Sequence, residues 1–380
     1  MSKRAHGGGS IYQRKDRRWA ADLPLPDGKR KTFYAATQKE VRAKLEDAKR
    51  QQDRGIAVEA GGQTVSQFLT RWLEDVGKST LRESSFNRYK EQFTAHVIPV
   101  VGTRRLDRLT PQDVQELYSR RLNAGAAPAT VELLHNMLHR AMRDAVRWNL
   151  ILHNPCDLVD APKGKKPEMR TLSPEEAGRF VAAVKEDRFE ALLLLAITSG
   201  MRRGELLGLK WGDIDLGSGV LQVSRTMGRI RGSMRENEPK TASSRRRIDL
   251  IQEAVDALRR HQTRQQEARL AAGQNWEERD LVFCNRYGRP LNPSYLVDTH
   301  FKPLLAKAKL PAIRFHDLRH SAATLLFAFG THPKIVQELL GHSSIAMTVD
   351  TYPHAVPGMQ REAVSRLSGL FNGGEKPPQS

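Results

Sequence analysis

The chain has little of what marks a secreted, disulfide-bonded or membrane-spanning protein. Its 380 residues include two cysteines, Cys156 and Cys284, which lie far apart and form no Cys-x-x-Cys pair. This usage argues against a disulfide framework and against a zinc ribbon. The longest apolar run, residues 191–198, is far shorter than the ~20 residues of a membrane helix, and the N-terminus is polar and glycine-rich. We therefore expect a cytoplasmic protein that does not bind membranes.

Acidic residues are outnumbered along the whole chain. Lys and Arg total 62 against 43 Asp and Glu, which gives a formal net charge of +19 and a pI near 10.1. The excess is +7 for residues 1–60, +4 for 61–165 and +8 for 166–380, so no single tail carries it. Such a field favours a polyanionic partner such as nucleic acid. A solvated cationic surface without a partner is the alternative that charge alone leaves open.

The first 55 residues read as a separate small domain. Alternating patterns predict three strands at 10–13, 18–23 and 30–34, and Thr37 with Glu40 predicts the start of a helix that packs on the sheet. We interpret the aromatic residues of the strands as the core of this domain: Tyr12, Trp19, Phe33 and Tyr34. We interpret the cations between them as phosphate contacts: Arg14, Lys15, Arg17, Arg18, Lys29, Arg30 and Lys31.

Residues 51–62 read as a glycine-containing linker, and residues 63–161 as a second domain that is helical throughout. Thr110-Pro111 predicts one helix start, and the helix predicted from Pro128 onward carries an apolar stripe suited to a helical bundle. His135 and His139 in that helix have the i, i+4 spacing of metal ligands. No third ligand is evident, so we interpret both as helix surface.

A basic linker at 162–167 precedes the third domain, predicted to span residues 168–372 and to mix helices with short strands. Residues 189–198 predict a buried helix that ends at Gly200, just before Arg202 and its candidate partner Glu205. Strand-like alternation at 219–250 surrounds a polar section with Lys240 and the candidate DNA contacts Arg245 and Arg246. Residues 360–371 predict a last short helix, and 373–380 a disordered tail.

The most distinctive stretch lies near the C-terminus. A predicted helix from His316 carries apolar residues at helical spacing through Phe329, and it puts His316 and Arg319 on one face. Gly341 is predicted to cap the next helix beside His342, and Tyr352 follows ten residues later. Imidazoles, a guanidinium and a phenol are suited to attack on a phosphodiester without a metal.

A zinc site built from His316, His320 and His342 is the alternative interpretation of the same stretch. We disfavour it because the charge of Arg319 would repel the metal ion. His320 is then better interpreted as a structural histidine.

The ordered set of motifs resembles the tyrosine recombinase (phage integrase) family. The matching segments are Thr198-Ser199-Gly200-Met201-Arg202-Arg203-Gly204-Glu205-Leu206, Pro239-Lys240-Thr241, His316-Asp317-Leu318-Arg319-His320, Leu340-Gly341-His342 and Thr351-Tyr352. The resemblance implies a multidomain, mainly α fold with small β-sheets. Its parts would be an arm-type DNA-binding domain at 1–55 with a three-stranded sheet and a helix, a helical core-binding (SAM-like) domain at 63–161, and a mixed α+β catalytic domain at 168–372.

The resemblance also implies catalytic roles. Tyr352 would be the nucleophile that forms a 3′-phosphotyrosyl bond, and Arg202 and Arg319 would stabilise the charge of the transition state. Lys240 would protonate the leaving 5′ oxygen, with His316 and His342 orienting the phosphate or exchanging protons. No metal, cofactor or ATP is expected.

Partners implied by the resemblance are double-stranded DNA attachment sites, further copies of the chain in a tetramer on DNA, an excision factor and a DNA-bending protein. Two other classes stay open from sequence. A type IB topoisomerase shares the chemistry but has no need of an arm-binding domain, and a DNA-binding regulator shares the charge but has no need of the catalytic residues.

Overall fold

The computed structural model describes residues 10–25, 29–53, 62–164, 169–185, 187–230, 233–237, 245–346 and 348. Lys240, Tyr352, the helix predicted at 360–371 and the C-terminal tail lie outside these residues. The chain divides into two compact units after residue 166. We call the described parts of the first unit the N-terminal module (residues 10–53) and the helical module (residues 62–164), and we call the second the C-terminal unit.

The N-terminal module is a three-stranded antiparallel sheet covered by one helix. Its elements are β1 (Ser10–Gln13), β2 (Trp19–Pro24), β3 (Arg30–Ala35) and α1 (Gln38–Asp53), with the strand order β1-β2-β3. The backbone N–H of Glu40 donates to Thr37 Oγ1 at 3.3 Å, as the predicted helix start requires. The three strands and the helix were all predicted from the sequence.

The core of this module differs from the prediction in its aromatic residues. Small and aliphatic side chains of β2 and α1 are the buried ones: Ala21, Leu23, Val41, Leu45 and Ala48. Trp19 and Phe33 pack against them while half-buried, but Tyr12 and Tyr34 are 44% and 45% exposed. The prediction that Tyr12 and Tyr34 belong to the core was therefore wrong, because β1 and β3 direct these rings to the face of the sheet that α1 leaves uncovered.

The helical module contains four helices around one apolar core. They are α2 (residues 65–80), α3 (residues 83–101), α4 (Pro111–Asn123) and α5 (Pro128–Arg147). The first two each contain one wider turn, Leu73–Gly77 and Phe93–Val97, which the sequence did not predict. Thr110 caps α4 together with Asp113, and Pro111 occupies the first turn as expected.

His135 and His139 are half-buried rather than on the open helix surface. Tyr118 Oη lies 2.8 Å from His135 Nδ1, and His139 Nε2 lies 2.7 Å from Asp157 Oδ1. The two histidines thereby tie α5 to α4 and to the short turn Pro155–Leu158. Within the described residues there is no group of three His, Cys, Asp or Glu placed to bind a metal ion.

An ion-pair cluster joins the N-terminal module to the helical module. Asp47 of α1 lies 3.2 Å from Arg105 and 3.0 Å from Arg108, both in the loop after α3. Arg105 also pairs with Asp107 at 2.7 Å. The carboxylate of Asp47 thus neutralises cations of the neighbouring module.

The C-terminal unit combines seven helices with two small sheets among its described residues. The helices are α6 (Pro174–Val184), α7 (Glu190–Thr198), α8 (Arg203–Leu207), α9 (Gln252–Ala272), α10 (residues 293–307), α11 (Asp317–Ala328) and α12 (Pro333–Leu340). The strands are β4 (Ile214–Asp215), β5 (Val220–Val223), β6 (Thr226–Ile230), β7 (Ser233–Asn237) and β8 (Arg246–Asp249). One sheet has the order β4-β5-β8 and β6-β7 is a separate hairpin, all antiparallel.

Helix α7 lies at the centre of this unit, and its residues 190–197 are all buried. Ser173 and Glu176 form the predicted capping box of α6. Ser321 of α11 is fully buried and accepts a hydrogen bond from Leu172 N at 2.9 Å, which fixes α11 against the start of the unit. Phe329, predicted as part of the apolar stripe of α11, lies just beyond its end and is 77% exposed. Of the described residues, no helix is both long and apolar enough to cross a membrane.

Candidate active site

Three arginines from different elements converge on the C-terminal end of α12. Each donates a hydrogen bond to one of three successive carbonyls there: Arg246 Nε to Leu339 O (2.5 Å), Arg319 Nη2 to Leu340 O (2.6 Å) and Arg202 Nη2 to Gly341 O (3.4 Å). Carbonyls in the last turn of a helix have no partner within the helix and carry its negative dipole end, so cations are favourable there. The arginines therefore fix the end of α12, which leads directly into His342.

Arg319 is the most deeply placed of the three, with 3% of the residue exposed. Besides Leu340 O, its guanidinium reaches Gly200 O through Nη1 at 2.7 Å. It thereby links the end of α7 to the end of α12 from its position on α11. A buried charge needs such hydrogen bonds to offset its lost hydration, so we expect this arrangement to be rigid.

Gly200 cannot be another residue without strain. Its φ is +60°, which L side chains rarely adopt, and a Cβ there would lie 2.5 Å from Leu340 Cδ2. The glycine break predicted from the sequence thus brings a backbone carbonyl within reach of Arg319.

Arg202 lies immediately before α8 and keeps 39% of its side chain exposed. The Glu205 carboxylate accepts hydrogen bonds from the Arg202 backbone N–H (2.9 Å) and from Arg202 Nη1 (2.8 Å). This confirms the predicted pairing. The pair resembles a capping box in which the arginine backbone is held at the helix start. Arg202 is therefore oriented by Glu205 while part of its side chain remains exposed.

Glu205 is buried between two arginines, since Arg246 Nη2 also contacts it at 2.9 Å. Burial alone would raise the pKa of Glu205, but the hydrogen bond and charge of Arg246, followed by those of Arg202, lower it below its ordinary value. The carboxylate is therefore ionised at neutral pH and fixes both guanidinium groups.

Arg246 was predicted from the sequence as a DNA contact, and its surroundings do not suit that role. Its side chain is 6% exposed and is bound to Glu205 and to Leu339 O. In strand β8 the side chains alternate, so Arg246 and Ile248 face inward whereas Arg245 and Arg247 are exposed. The inward direction of Arg246 could have been read from this alternation.

His342 follows the left-handed residue Gly341, whose φ of 65° ends α12 as predicted. Its Nδ1 lies 2.9 Å from Thr348 Oγ1, and Gln337 Nε2 donates to its carbonyl at 3.0 Å. Burial, then the charges of Arg319 and Arg202, lower the pKa of His342 to about 4. At neutral pH the imidazole is uncharged, and its surroundings are positive.

His316 and His320 lie one turn apart at the start of α11, with ring centroids 5.1 Å apart. Burial of the two rings is the largest cause that lowers the pKa of both histidines. For His316 the charge of Arg319 adds to it, and for His320 the neighbouring His316 brings the pKa to about 4. His316 is exposed and His320 is half-buried; the structural role of His320 stays a prediction.

An open cavity of about 880 Å³ adjoins His316. Its floor is apolar, with Leu305 and Phe315, and its lining includes Arg203, Lys302 and Arg314. Lys302 pairs with Asp298 at 2.7 Å and Arg314 with Asp317 at 2.8 Å, so neighbouring carboxylates offset part of this positive charge.

Four of the six predicted catalytic residues, Arg202, His316, Arg319 and His342, are thus brought to one region by α8, α11 and α12. The other two, Lys240 and Tyr352, lie outside the described residues. Sequence reasoning missed the role of Arg246 and the contact of Thr348 with His342.

The predicted DNA contacts of the N-terminal module are on its surface. Arg14, Lys15, Arg17, Arg18, Lys29 and Arg30 are exposed and Lys31 is half-buried. Arg18 pairs with Asp16 at 2.9 Å, and Arg14 lies over the ring of Tyr34 at 5.1 Å.

Comparison with known sequences points to one family. The profile of the phage integrase family matches residues 170–358, and that of the phage integrase N-terminal SAM-like domain matches residues 64–122. A tyrosine recombinase XerC-like protein of Caldanaerobacter subterraneus subsp. tengcongensis is 32% identical over 362 residues, covering 90% of this chain and 92% of the relative. An integrase of Saccharopolyspora erythraea is 25% identical over 432 residues, covering 98% of each chain.

Solved structures share the fold. The Tn1549 transposon integrase in complex with a circular intermediate DNA matches with a TM-score of 0.68 at 22% identity, over 80% of this chain and 100% of that one. A lambda integrase dimer bound to a core site matches with a TM-score of 0.54 at 18% identity, over 92% and 96%.

The match to the phage integrase profile and to the XerC-like relative defines an enzyme that breaks and rejoins DNA strands. The chain belongs to the phage integrase family of tyrosine recombinases, and its activity is that of a site-specific recombinase of mobile elements. The resemblance seen in the sequence motifs is confirmed.

Proposed function

We propose that this integrase cuts double-stranded DNA at attachment sites through a 3′-phosphotyrosyl intermediate, with Tyr352 as the nucleophile, to integrate or excise the element that encodes it. The observation that carries the proposal is the cluster at the end of α12, where Arg202, Arg319 and His342 lie together. Such a cluster suits a phosphate that gains negative charge during the reaction.

The two arginines have different parts in this proposal. Arg202 is partly exposed and oriented by Glu205, so its guanidinium is available to contact a non-bridging oxygen of the scissile phosphate. Arg319 is proposed to act through its positive charge from a buried position, where that charge also lowers the pKa of both His316 and His342. A tyrosine with a reference pKa of ~10 is only sparsely ionised at neutral pH, and nearby cations favour its ionised form.

The histidines are proposed as neutral hydrogen-bonding groups at the phosphate. His342 uses Nδ1 with Thr348, which leaves Nε2 as the atom of that ring to face the substrate. Lys240 is proposed as the acid that protonates the leaving 5′ oxygen, because that oxygen is a poor leaving group without a proton. The energy of the broken bond is kept in the phosphotyrosyl link, so rejoining requires neither ATP nor a metal.

The nucleophile is tested on a nicked suicide substrate that traps the covalent intermediate. Tyr352→Phe should bind DNA as well as the unmodified protein and form no adduct, whereas Tyr295→Phe, an exposed tyrosine of the same unit, should form it at the normal rate. Adduct formation by Tyr352→Phe would sink the assignment. Relaxation of a supercoiled plasmid that lacks an attachment site would instead favour a type IB topoisomerase, and DNA binding with no adduct from the unmodified protein would favour a regulator.

The acid is tested with a 5′-bridging phosphorothiolate, whose leaving group needs no proton. Lys240→Ala should be slow on ordinary DNA and largely rescued on the sulfur substrate, while exposed Lys307→Ala should be normal on both. Equal defects of Lys240→Ala on the two substrates would assign proton donation to another group.

We also propose that two separate domains of the chain bind different parts of the attachment region. Residues 1–55 would be an arm-type domain using its exposed cations, residues 63–161 a core-binding domain, and residues 168–372 the catalytic domain. Footprinting of the full chain and of a 64–380 fragment on a complete attachment region tests this division. The fragment should lose only the arm footprint, with a shallower salt dependence of binding; identical footprints would contradict the proposal.

The assembly proposed is a tetramer on two DNA duplexes in the cytoplasm of a bacterial host, helped by an excision factor and a DNA-bending protein. The helix predicted at 360–371 would have an apolar face suited to pack on a neighbouring copy. A chain truncated after Val356 should bind a single site normally but fail to pair two sites. Unchanged pairing would show that another segment holds the copies together.

A further inference from the structure

A second cavity of the C-terminal unit lies apart from the arginine cluster of α12 and shares no lining residue with it. It measures about 190 Å³ and is bounded by α9, the turn before α7 and the segment that follows α9. Phe189, Trp276 and Cys284 contribute to its wall, together with Arg264 of α9. Arg188 and Arg286, which are exposed, also line it.

Two of the lining side chains carry three hydrogen-bond donor atoms that are buried and have no acceptor among the described residues, although 39% of the Arg264 side chain as a whole is exposed. The three atoms are Nε and Nη2 of Arg264 and Nε1 of Trp276. Buried donors in folded proteins nearly always have a partner, because lost hydration is otherwise uncompensated. Two separate side chains lining one cavity with unmet donors therefore point to an acceptor that the chain itself does not supply.

The nearest carboxylate does not fill this need. Glu190 Oε2 is 3.9 Å from Arg264 Nη2, beyond hydrogen-bond distance, and Glu190 is already held by Arg260 at 2.6 Å. The remaining nitrogen of Arg264, Nη1, makes a 3.5 Å contact with Asp187 O. Of the described residues that line the cavity, none is an aspartate or glutamate.

The neighbouring polar groups of the wall are occupied or positive. Gln265 accepts from Trp211 Nε1 at 2.6 Å and donates to Cys284 Sγ at 3.1 Å. His261 Nε2 is 2.7 Å from Val282 O, and burial followed by the charges of Arg264 and Arg188 lowers its pKa. The cavity thus presents donors and positive charge to its contents.

We propose that this cavity is a binding site for a small oxyanion, either phosphate or the carboxylate of a small organic acid. The ligand oxygens would accept from Arg264 and Trp276, with Arg188 and Arg286 adding charge at the entrance. The volume exceeds that of a single water, ~30 Å³, and is below the ~300 Å³ at which sites for drug-sized ligands begin. A volume of this size suits a small oxyanion.

The indole N–H of Trp276 gives a local readout in the full-length protein. Its ¹H–¹⁵N resonance, one of five from tryptophan, is assigned with Trp276→Phe. Sodium phosphate and sodium acetate are then titrated separately at constant ionic strength, with sodium chloride as a third series. We expect a saturable shift with one or both oxyanions, and the stronger of the two identifies the ligand class. Absence of a saturable shift with both would overturn the proposal.

Variants separate the site from general effects of charge. Arg264→Gln should weaken the oxyanion response of Trp276 at least tenfold, whereas Arg259→Gln, on the same helix but outside the cavity and paired with Asp256 rather than Glu190, should preserve it. An equal response in both variants would overturn the proposal. If Arg264→Gln does not fold, Arg286→Gln at the entrance takes its place, with a smaller loss of affinity expected.

The carboxylate that precedes Asp187 in the sequence provides a further control. Glu186 lies outside the described residues, and Glu186→Gln should leave the Trp276 resonance of the ligand-free protein and its oxyanion response unchanged. A resonance that moves with Glu186→Gln and not with either oxyanion would mean that the chain supplies its own acceptor, which would also overturn the proposal.

Discussion

Replacement of Arg246 by methionine removes the buried charge that joins β8 to the catalytic cluster while keeping most of the side-chain volume. Arg246 and Glu205 have 6% and 5% of their side chains exposed and are 2.9 Å apart. The same guanidinium donates to Leu339 O, in the last turn of α12. Arg246→Met therefore leaves a buried carboxylate with one arginine instead of two, and a helix-end carbonyl without its donor.

The expected loss is large because the remaining charge is buried. Breaking one partner of a buried ion pair costs about 3–5 kcal/mol of unfolding free energy. Arg202 still contacts Glu205, which favours the lower end of that range. A shift of α12 would also move His342, and a displacement of about 1 Å at a reacting group can slow a reaction about 10²-fold. We expect slower adduct formation on the suicide substrate together with the loss of stability.

The pH dependence distinguishes this mechanism from a simple packing defect. Burial alone raises the pKa of Glu205, and Arg246 is the main group that lowers it. In the unmodified protein the pair stabilises the fold above the unfolded pKa of ~4.3, and this contribution is lost as the pH falls through the lower folded value. The difference between Arg246→Met and the unmodified protein should therefore be largest near pH 7 and shrink in acid, as followed by urea unfolding at several pH values.

Arg247→Met is the matched control, because Arg247 is the next residue of β8 and 67% of its side chain is exposed. It should change stability by no more than about 0.5 kcal/mol. Adding Glu205→Gln to Arg246→Met should cost less than the sum of the two single changes, since the unpaired buried charge is then absent. A loss for Arg246→Met below about 1 kcal/mol, or one independent of pH, would refute the reasoning.

Three other outcomes are expected. Gly200→Ala should lower stability and adduct formation more than Gly125→Ala does, because both glycines have positive φ but only Gly200 lacks room for a Cβ; equal losses by thermal unfolding would contradict this. In DNA-free protein the His342 ring should titrate near pH 4 by NMR. Because this folded pKa is below the unfolded value of ~6.5, the contribution of the neutral ring to stability is complete above pH ~6.5 and is lost as the pH falls toward 4. A titration midpoint near 6.5 would exclude this trend. Asp47→Ala should change stability by less than about 1 kcal/mol and steepen the salt dependence of DNA binding, since it releases Arg108 and leaves Arg105 with Asp107 alone; an unchanged salt slope would mean that Arg108 does not contact DNA.

Much of the local structure could be predicted because it depends on short-range patterns. The start of α6 follows from Ser173-Pro174 with Glu176, and the end of α12 follows from Gly341. The pairing of Arg202 with Glu205 is also a local effect, since the two are three residues apart at a helix start. Each of these features is decided within one turn of chain.

What could not be predicted depends on contacts between distant segments. Arg246 and Glu205 are 41 residues apart, and nothing in the run of arginines at 245–247 says which one meets a buried carboxylate except the alternation of a strand. Tyr12 and Tyr34 were misplaced for the same reason. Aromatic residues in a small sheet usually form its core, but α1 covers only one face, and the opposite face holds both rings.

The arrangement at α12 explains why the recombinase motifs are spread so widely in sequence. His342 needs a fixed helix end, and that end needs donors for its last carbonyls. The donors come from the segment after α7, from β8 and from α11, and two of them, Arg202 and Arg319, belong to the recombinase motifs. Arg202 and His342, which we propose to contact the phosphate, and Arg246, which is buried against Glu205, thus depend on one helix terminus. Changes in any of these segments should therefore affect stability and strand cleavage together.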